Sequence, residues 1–300
     1  MDKNFLTPQE IVNYTLETGI KKAKLSWLAA LILGILAGSF IAFGAFAANL
    51  ISHSVENFGL AKFLGAAVFP VGLMLVVMAG GELFTGNTLM SIALAERKIT
   101  LKAMLNNWFW VYAGNFVGSL LVAYLVGSSG MLMLNNGLVA AAALKTAAIK
   151  ANLTFGAAFI RGILCNILVV LAVWLAYGAK DVAGKVLGIW FPVMTFVLSG
   201  YEHSIANMYY FAVGVQAKAL GVNDLAHLTP KLLANLNWGH IWLYNLIPVT
   251  LGNIVGGSIL IGLGYWLVYL YLPRVKELSF GGLLKKLSIN VEKPKLQENN

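Results

Sequence analysis

The stretch SGYEHSIANMY (199–209) sets Glu202 beside His203, with the apolar runs VLGIWFPVMTFVL (186–198) and YFAVGV (210–215) on either side. An imidazole exchanges protons near neutral pH more readily than any other side chain, and a neighbouring hydroxyl or carboxylate can orient it. A second stretch, GGELFTGNT (80–88), repeats the G-x-E-x-x-x-x-N spacing: Gly80, Glu82 and Asn87 against Gly200, Glu202 and Asn207. It adds a hydroxyl at Thr85, able to serve the imidazole, a passing solute or the N-terminus of the next helical segment. Proton exchange with a small solute is the chemistry these residues could do. An ionisable group costs about 3 kcal/mol or more near a bilayer centre, so such a group marks a functional path.

Composition places the site in a membrane. The chain is 59% hydrophobic and 11% charged, against about 25% charged in soluble domains. Six apolar runs (25–50, 63–94, 108–126, 155–177, 186–215 and 241–272) each suffice for the ~20 residues that span a bilayer, which excludes a soluble globule. They form one domain, 25–272, lying in a cell membrane. Nothing before it has the pattern of a cleaved signal peptide. Residues 1–24 instead hold a helix start, Thr7-Pro8-Gln9-Glu10, and an amphipathic segment that suits the membrane surface or a neighbouring subunit. With both termini cytoplasmic, fifteen of the 21 Lys and Arg fall on the inner side, as the positive-inside rule requires. The net charge of +9 is this bias, not a nucleic-acid surface. Residues 273–300 form a polar cytoplasmic tail. The lone Cys165 excludes an internal disulfide.

The two halves repeat. Gly34-Ile35-Leu36 returns as Gly162-Ile163-Leu164, and Gly114-Asn115-Phe116-Val117-Gly118 as Gly252-Asn253-Ile254-Val255-Gly256. Three spans per half invert the second half relative to the first. The expected fold is therefore an all-α membrane protein with six transmembrane helices in a 3+3 inverted repeat. Its second and fifth helices are interrupted, at Phe69-Pro70 and 80–86 and at Phe191-Pro192 and Ser199-Gly200, and such breaks point at a transport path.

His203 reads either as a hydrogen-bonded core histidine or as a pore residue, and its place at a break favours the pore. Glu82 and Glu202 are expected to face away from the path and accept the backbone N–H groups that the breaks release, with Asn87 and Asn207 tying down the same loops. Asn115 and Asn253 suit interhelical bonding, and Asn166 and Asn253 could also offer polar contacts beside the path. Lys150 and Arg161 stand near the outer end of the fourth span, snorkelling or drawing anions inward. By composition alone, Phe69, Leu73, Phe196, Leu83, Phe84 and Val169 read as packing. His53, His227 and His240 carry no assignment, and 127–154 reads as a long outer loop.

These motifs resemble the formate/nitrite transporters, pentameric channels with an aquaporin-like fold, over about residues 8–272. The resemblance rests on GGELFTGNT, the NW-x-x-VY-x-GN of Asn107 to Asn115, GILCN (162–166), SGYEHSIANM (199–208) and NLIPVTLGNIVGG (245–257). It implies passive or proton-coupled passage of formate, nitrite or hydrosulfide through a homopentamer, without cofactor or metal. It implies a central pore histidine at His203, in the family's S-loop, and the omega-loop threonine at Thr85. Lys150 becomes the vestibule lysine, and Asn166 and Asn253 line the path. Phe69, Leu73 and Phe196 become an inner constriction, and Leu83, Phe84 and Val169 an outer one. Arg161 stands where formate members are neutral and some nitrite members carry lysine, whereas HLTP (227–230) is nearer the formate members, so the anion stays open. An aquaporin-like channel for neutral solutes lacks its paired Asn-Pro-Ala motifs here. An intramembrane enzyme built on Glu202, His203 and Ser204 would need consecutive helix residues to face one way.

Overall fold

The computed structural model describes residues 5–275. Most of its long helices start where a short polar side chain takes an orphan backbone N–H. Thr7, Ser26, Asn57, Thr100, Thr154 and Asp181 each accept from the residue three further on. At Thr7 the reciprocal bond from Glu10 completes the capping box. The resulting helices are α1 (Pro8–Ala23), α2 (Trp27–Ser52), α3 (Phe58–Gly80), α4 (Phe84–Asn87), α5 (Met90–Ala95) and α6 (Leu101–Ser128). They continue as α7 (Leu138–Ala151), α8 (Phe155–Gly178), α9 (Val182–Leu198), α10 (Ser204–Ala219), α11 (Pro230–Ala234) and α12 (Trp238–Val275). Among the described residues five of these, α2, α3, α6, α8 and α12, are long and apolar enough to cross a bilayer, and α9 is apolar but shorter. The tail assigned to 273–300 lies, from residue 276 on, outside the described residues.

Close helix pairs make the frame. α2 crosses α6 with Gly38 set so tightly on Asn115 that a Cβ there would run into the Asn115 backbone. α8 crosses α12 in the same way, with Gly252 against the Phe159 carbonyl. Small residues that let backbones meet are the usual means of joining helices in lipid, where no hydrophobic effect drives them together.

The wide breaks lie at glycines. α3 stops at Gly80 (φ +98) and α9 gives way to Gly200 (φ +70), left-handed conformations that favour glycine. Each is followed by extended backbone: Leu83 at φ −107, ψ 121 and His203 at φ −106, ψ 116, after which α4 and α10 begin. The interruption expected at Phe191-Pro192 does not occur, whereas at Phe69-Pro70 the helical hydrogen bonding lapses into a turn between Val68 and Val71. Pro192 lies inside α9, and Pro70 keeps right-handed helical angles (φ −57, ψ −20). Just before the turn, Trp190 Nε1 donates to the Ala67 carbonyl at 2.7 Å, a bond from a neighbouring helix. Residues 127–154 are not the expected loop either. LVAAAALKTAAIKA forms α7, since alanine is the strongest helix former.

At one end of the bundle Glu96 accepts from Trp266 Nε1 and Arg274 Nη2, both at 2.7 Å, fixing the end of α12. Burial raises its pKa, but the bonds from Arg274 and Trp266 outweigh this and hold the carboxyl below its usual 4.5. A depressed folded pKa gives stability that is present above the unfolded value and lost as pH falls through the folded one. Hydrogen exchange in 264–275 should therefore stay slow down to about pH 4.5 and accelerate below it. In Glu96→Gln the acid-induced step should vanish, and a step that survives would refute the assignment.

Candidate functional site

The two breaks are held by matching sets of bonds. In the first, Asn115 on α6 accepts the Phe84 N–H at 3.0 Å and donates to the carbonyls of Gly34 (2.8 Å) and Glu82 (2.9 Å). In the second, Asn253 on α12 accepts the Ser204 N–H at 3.0 Å and donates to Gly162 (2.8 Å) and Glu202 (3.0 Å). Asn253 is 0% exposed and its amide is committed to backbone, the interhelical role expected of it and of Asn115. The glutamates differ from expectation. Their carboxylates take side chains, not released N–H groups. Glu82 binds Lys22 (2.6 Å) and Asn87 (2.6 Å), while Glu202 binds Lys150 (2.8 Å) and Asn207 (2.6 Å). The loop donors go to asparagines because an amide can accept one N–H while donating to two carbonyls, and a carboxylate can only accept. The network closes through Asn107 and Asn245. They accept from Asn87 and Asn207 and donate to the carbonyls of Lys22 and Lys150.

Lys22 is the residue that sequence reasoning missed. Its signal was present: it stands as far before the repeated Gly34 as Lys150 stands before Gly162.

What does not repeat is the polar centre. His203 stands where the first break has Leu83, and Thr85 where the second has Ile205. Thr85 Oγ1 and His203 Nε2 are 2.9 Å apart, and the two residues are 0% and 3% exposed. His203 Nδ1 accepts the Ala206 N–H at 3.1 Å, capping α10. A nitrogen that accepts carries no proton, so the neutral ring holds its proton on Nε2 and donates it to Thr85. The Thr85 hydroxyl proton is then free to point elsewhere. Asn166 on α8 donates to Thr85 O (3.2 Å), Thr88 Oγ1 (3.1 Å) and Asn253 O (2.7 Å), leaving its buried Oδ1 without a partner.

Two cavities approach this pair. One, of about 340 Å³, is lined by Lys22, Leu73, Glu82, Leu83 and Val173. The other, of about 170 Å³, is lined by Lys62, Lys150, Phe69, Phe196 and His203. Thr85 sits between chain neighbours that line the first and a hydrogen-bond partner that lines the second. This regroups the apolar residues. Phe69 and Phe196 pack edge to face (5.7 Å, 83°), and Phe196 stacks on the His203 ring (5.8 Å, 16°). They therefore belong with Lys150, at the end opposite to that expected. Leu73, one turn and ~6 Å further along α3, belongs with Leu83. Phe84 packs against Trp108 and Tyr112 and lines neither cavity, nor does the buried Val169. Arg161 is exposed at the start of α8, its carbonyl accepting the Glu202 N–H.

A bundle of apolar helices with a buried polar pair between two cavities is the architecture of a membrane transport protein. The profile of the formate/nitrite transporter family matches residues 9–267, and the chain belongs to that family. It is 42% identical over 272 residues to the formate channel BtFdhC of Bacillus thuringiensis, covering 88% of this chain and 96% of that one. Against the formate channel FocA of Escherichia coli (strain K12) it is 38% identical over 272 residues, covering 89% and 95%. Its fold matches a solved pentameric formate channel with formate bound, at TM-score 0.75 and 36% identity over 81% of this chain and 98% of that one.

Proposed function

We propose that this protein passes small monovalent anions, formate foremost, across a cell membrane through a pore within each subunit of a homopentamer. The formate-channel relatives and the pentameric structural neighbour support this reading. So does the recurrence of one bonding scheme around both breaks, which argues for six membrane-crossing segments in a 3+3 inverted repeat, while the Lys and Arg bias argues for cytoplasmic termini. The Thr85–His203 pair set between the two cavities carries the functional conclusion.

The physical problem is desolvation. Apolar side chains stand on both sides of the pair, and stripping water from a bare anion costs several kcal/mol even after relaxation. The Thr85 hydroxyl, oriented by His203, offsets part of that cost by donating to the anion. Full neutralisation needs a proton. Giving up Nε2–H alone would leave an imidazolate, so the Ala206 N–H must release Nδ1 and Nδ1 must take a proton from water in the cavity that His203 lines as Nε2–H passes to the anion. Proton handling at His203 is therefore coupled to the cap of α10. Lys22 and Lys150 flank the path, each balanced by a glutamate that also ties down the adjoining loop. The role is transport, and no residue needs to act as a nucleophile.

Proteoliposome flux with formate, nitrite and hydrosulfide in parallel, and water by light scattering, tests the reading. Saturable formate flux is expected. Water flux without flux of any of the three anions would replace it with an aquaporin-like pore.

A further inference from the structure

The cavity that His203 lines contains a cation whose charge nothing balances. Lys150 is already engaged, with Nζ 2.8 Å from the buried Glu202 carboxylate and 5.4 Å from the Tyr210 ring centre. Lys62, near the start of α3, lines the same cavity, with Nζ 5.8 Å from the Phe58 ring centre. It has no hydrogen bond and no ion pair among the described residues. The charges around it are Lys150, Glu202 and Arg161, so its one acidic neighbour is already spent on Lys150. Its ammonium also overlooks the break, since a Cβ at Gly200 would lie 3.9 Å from Nζ. The other cavity has the same composition: Lys22 bound to Glu82, and the exposed Lys21 lining it without a side-chain partner among the described residues.

We propose that Lys62 is the residue that draws substrate anions into this mouth and holds them beside Gly200, while Lys150 serves by neutralising Glu202. The inference rests on the anion-pore reading above and assigns the recruiting charge within it. An ion pair presents a dipole to an approaching anion, whereas a lone ammonium presents a full charge. Low-dielectric cavity walls focus that field and raise the local anion concentration.

Lys62→Gln removes the charge, and Lys62→Arg keeps it. In proteoliposomes of neutral lipid at ~0.01 M ionic strength, where screening extends about 30 Å, Lys62→Gln should raise the half-saturating formate concentration. The rise should be about fivefold, the worth of one charge at roughly 4 Å with water-like screening. Maximal rate should stay at the wild-type value, and Lys62→Arg should restore the affinity. At ~1 M salt, where screening shortens to about 3 Å, the two curves should merge. An unchanged half-saturation at low salt, or a loss confined to maximal rate, overturns the role of Lys62 and leaves the pore reading intact. A wild type that carries neither formate nor nitrite overturns both. Should Lys62→Gln fail to assemble, Lys62→Cys labelled after assembly with a cationic or a neutral thiol reagent gives the same comparison. Equal affinities for the two adducts would overturn the proposal.

Discussion

Glu202→Ala is expected to lower stability by about 3–5 kcal/mol, the usual consequence of removing one partner of a buried ion pair. The carboxylate is 3% exposed at its side chain and accepts from Lys150, Asn207 and, at 3.4 Å, Asn245. Truncation strands an ammonium and two amide donors together. Thermal unfolding in detergent and the fraction eluting as the intact oligomer would read this. Lys150→Met added to Glu202→Ala should recover part of the loss, because the uncompensated charge leaves with its partner. A Glu202→Ala protein that keeps wild-type melting and assembly while changing anion selectivity would make the glutamate a pore residue. The same substitution at Glu82 should cost less, since the Lys22–Glu82 pair is the wetter one, with 10% of the Glu82 side chain exposed.

The repeat explains why so much was legible. Gly80 and Gly200, Glu82 and Glu202, Asn87 and Asn207 are identical because the same loop must be held twice, and identity at fixed spacing is visible without a structure. Chemistry lies where the halves disagree. His203 against Leu83 and Thr85 against Ile205 could be found by asking what the duplication did not preserve. Three features stayed hidden for physical reasons. Proline reads as a breaker, but Pro192 lies inside α9 and Pro70 keeps helical angles at a turn of two residues. The Ala-rich α7 has too few polar residues to show a period, so Lys150 came without the helix that carries it. The grouping of apolar residues into constrictions needs depth along the path. Phe69 and Leu73, one turn apart on a single helix, line different cavities, and no sequence spacing says where the polar layer falls between them.

His203→Asn is expected to leave folding and assembly near wild type and to abolish the pH dependence of transport. The side chain has two separable jobs. Its Nδ1 caps α10 through the Ala206 N–H, and asparagine is among the best capping residues, so stability should change by about 1 kcal/mol or less. Its Nε2 reaches Thr85 across 2.9 Å, a span the shorter amide cannot bridge. The amide also does not titrate. Wild-type formate flux should therefore vary with pH, while the variant gives a flat profile. Thr85→Val separates donation from titration. It leaves the imidazole in place but removes the hydroxyl that orients it, so flux should fall while some pH dependence remains. A His203→Asn channel with the wild-type pH profile would show that the proton moves elsewhere, and His203 would then be a cap and a hydrogen-bond donor only. If His203→Asn instead fails to assemble while Thr85→Val assembles normally, the histidine holds the fold through α10 and the division of its two nitrogens between structure and transport is wrong.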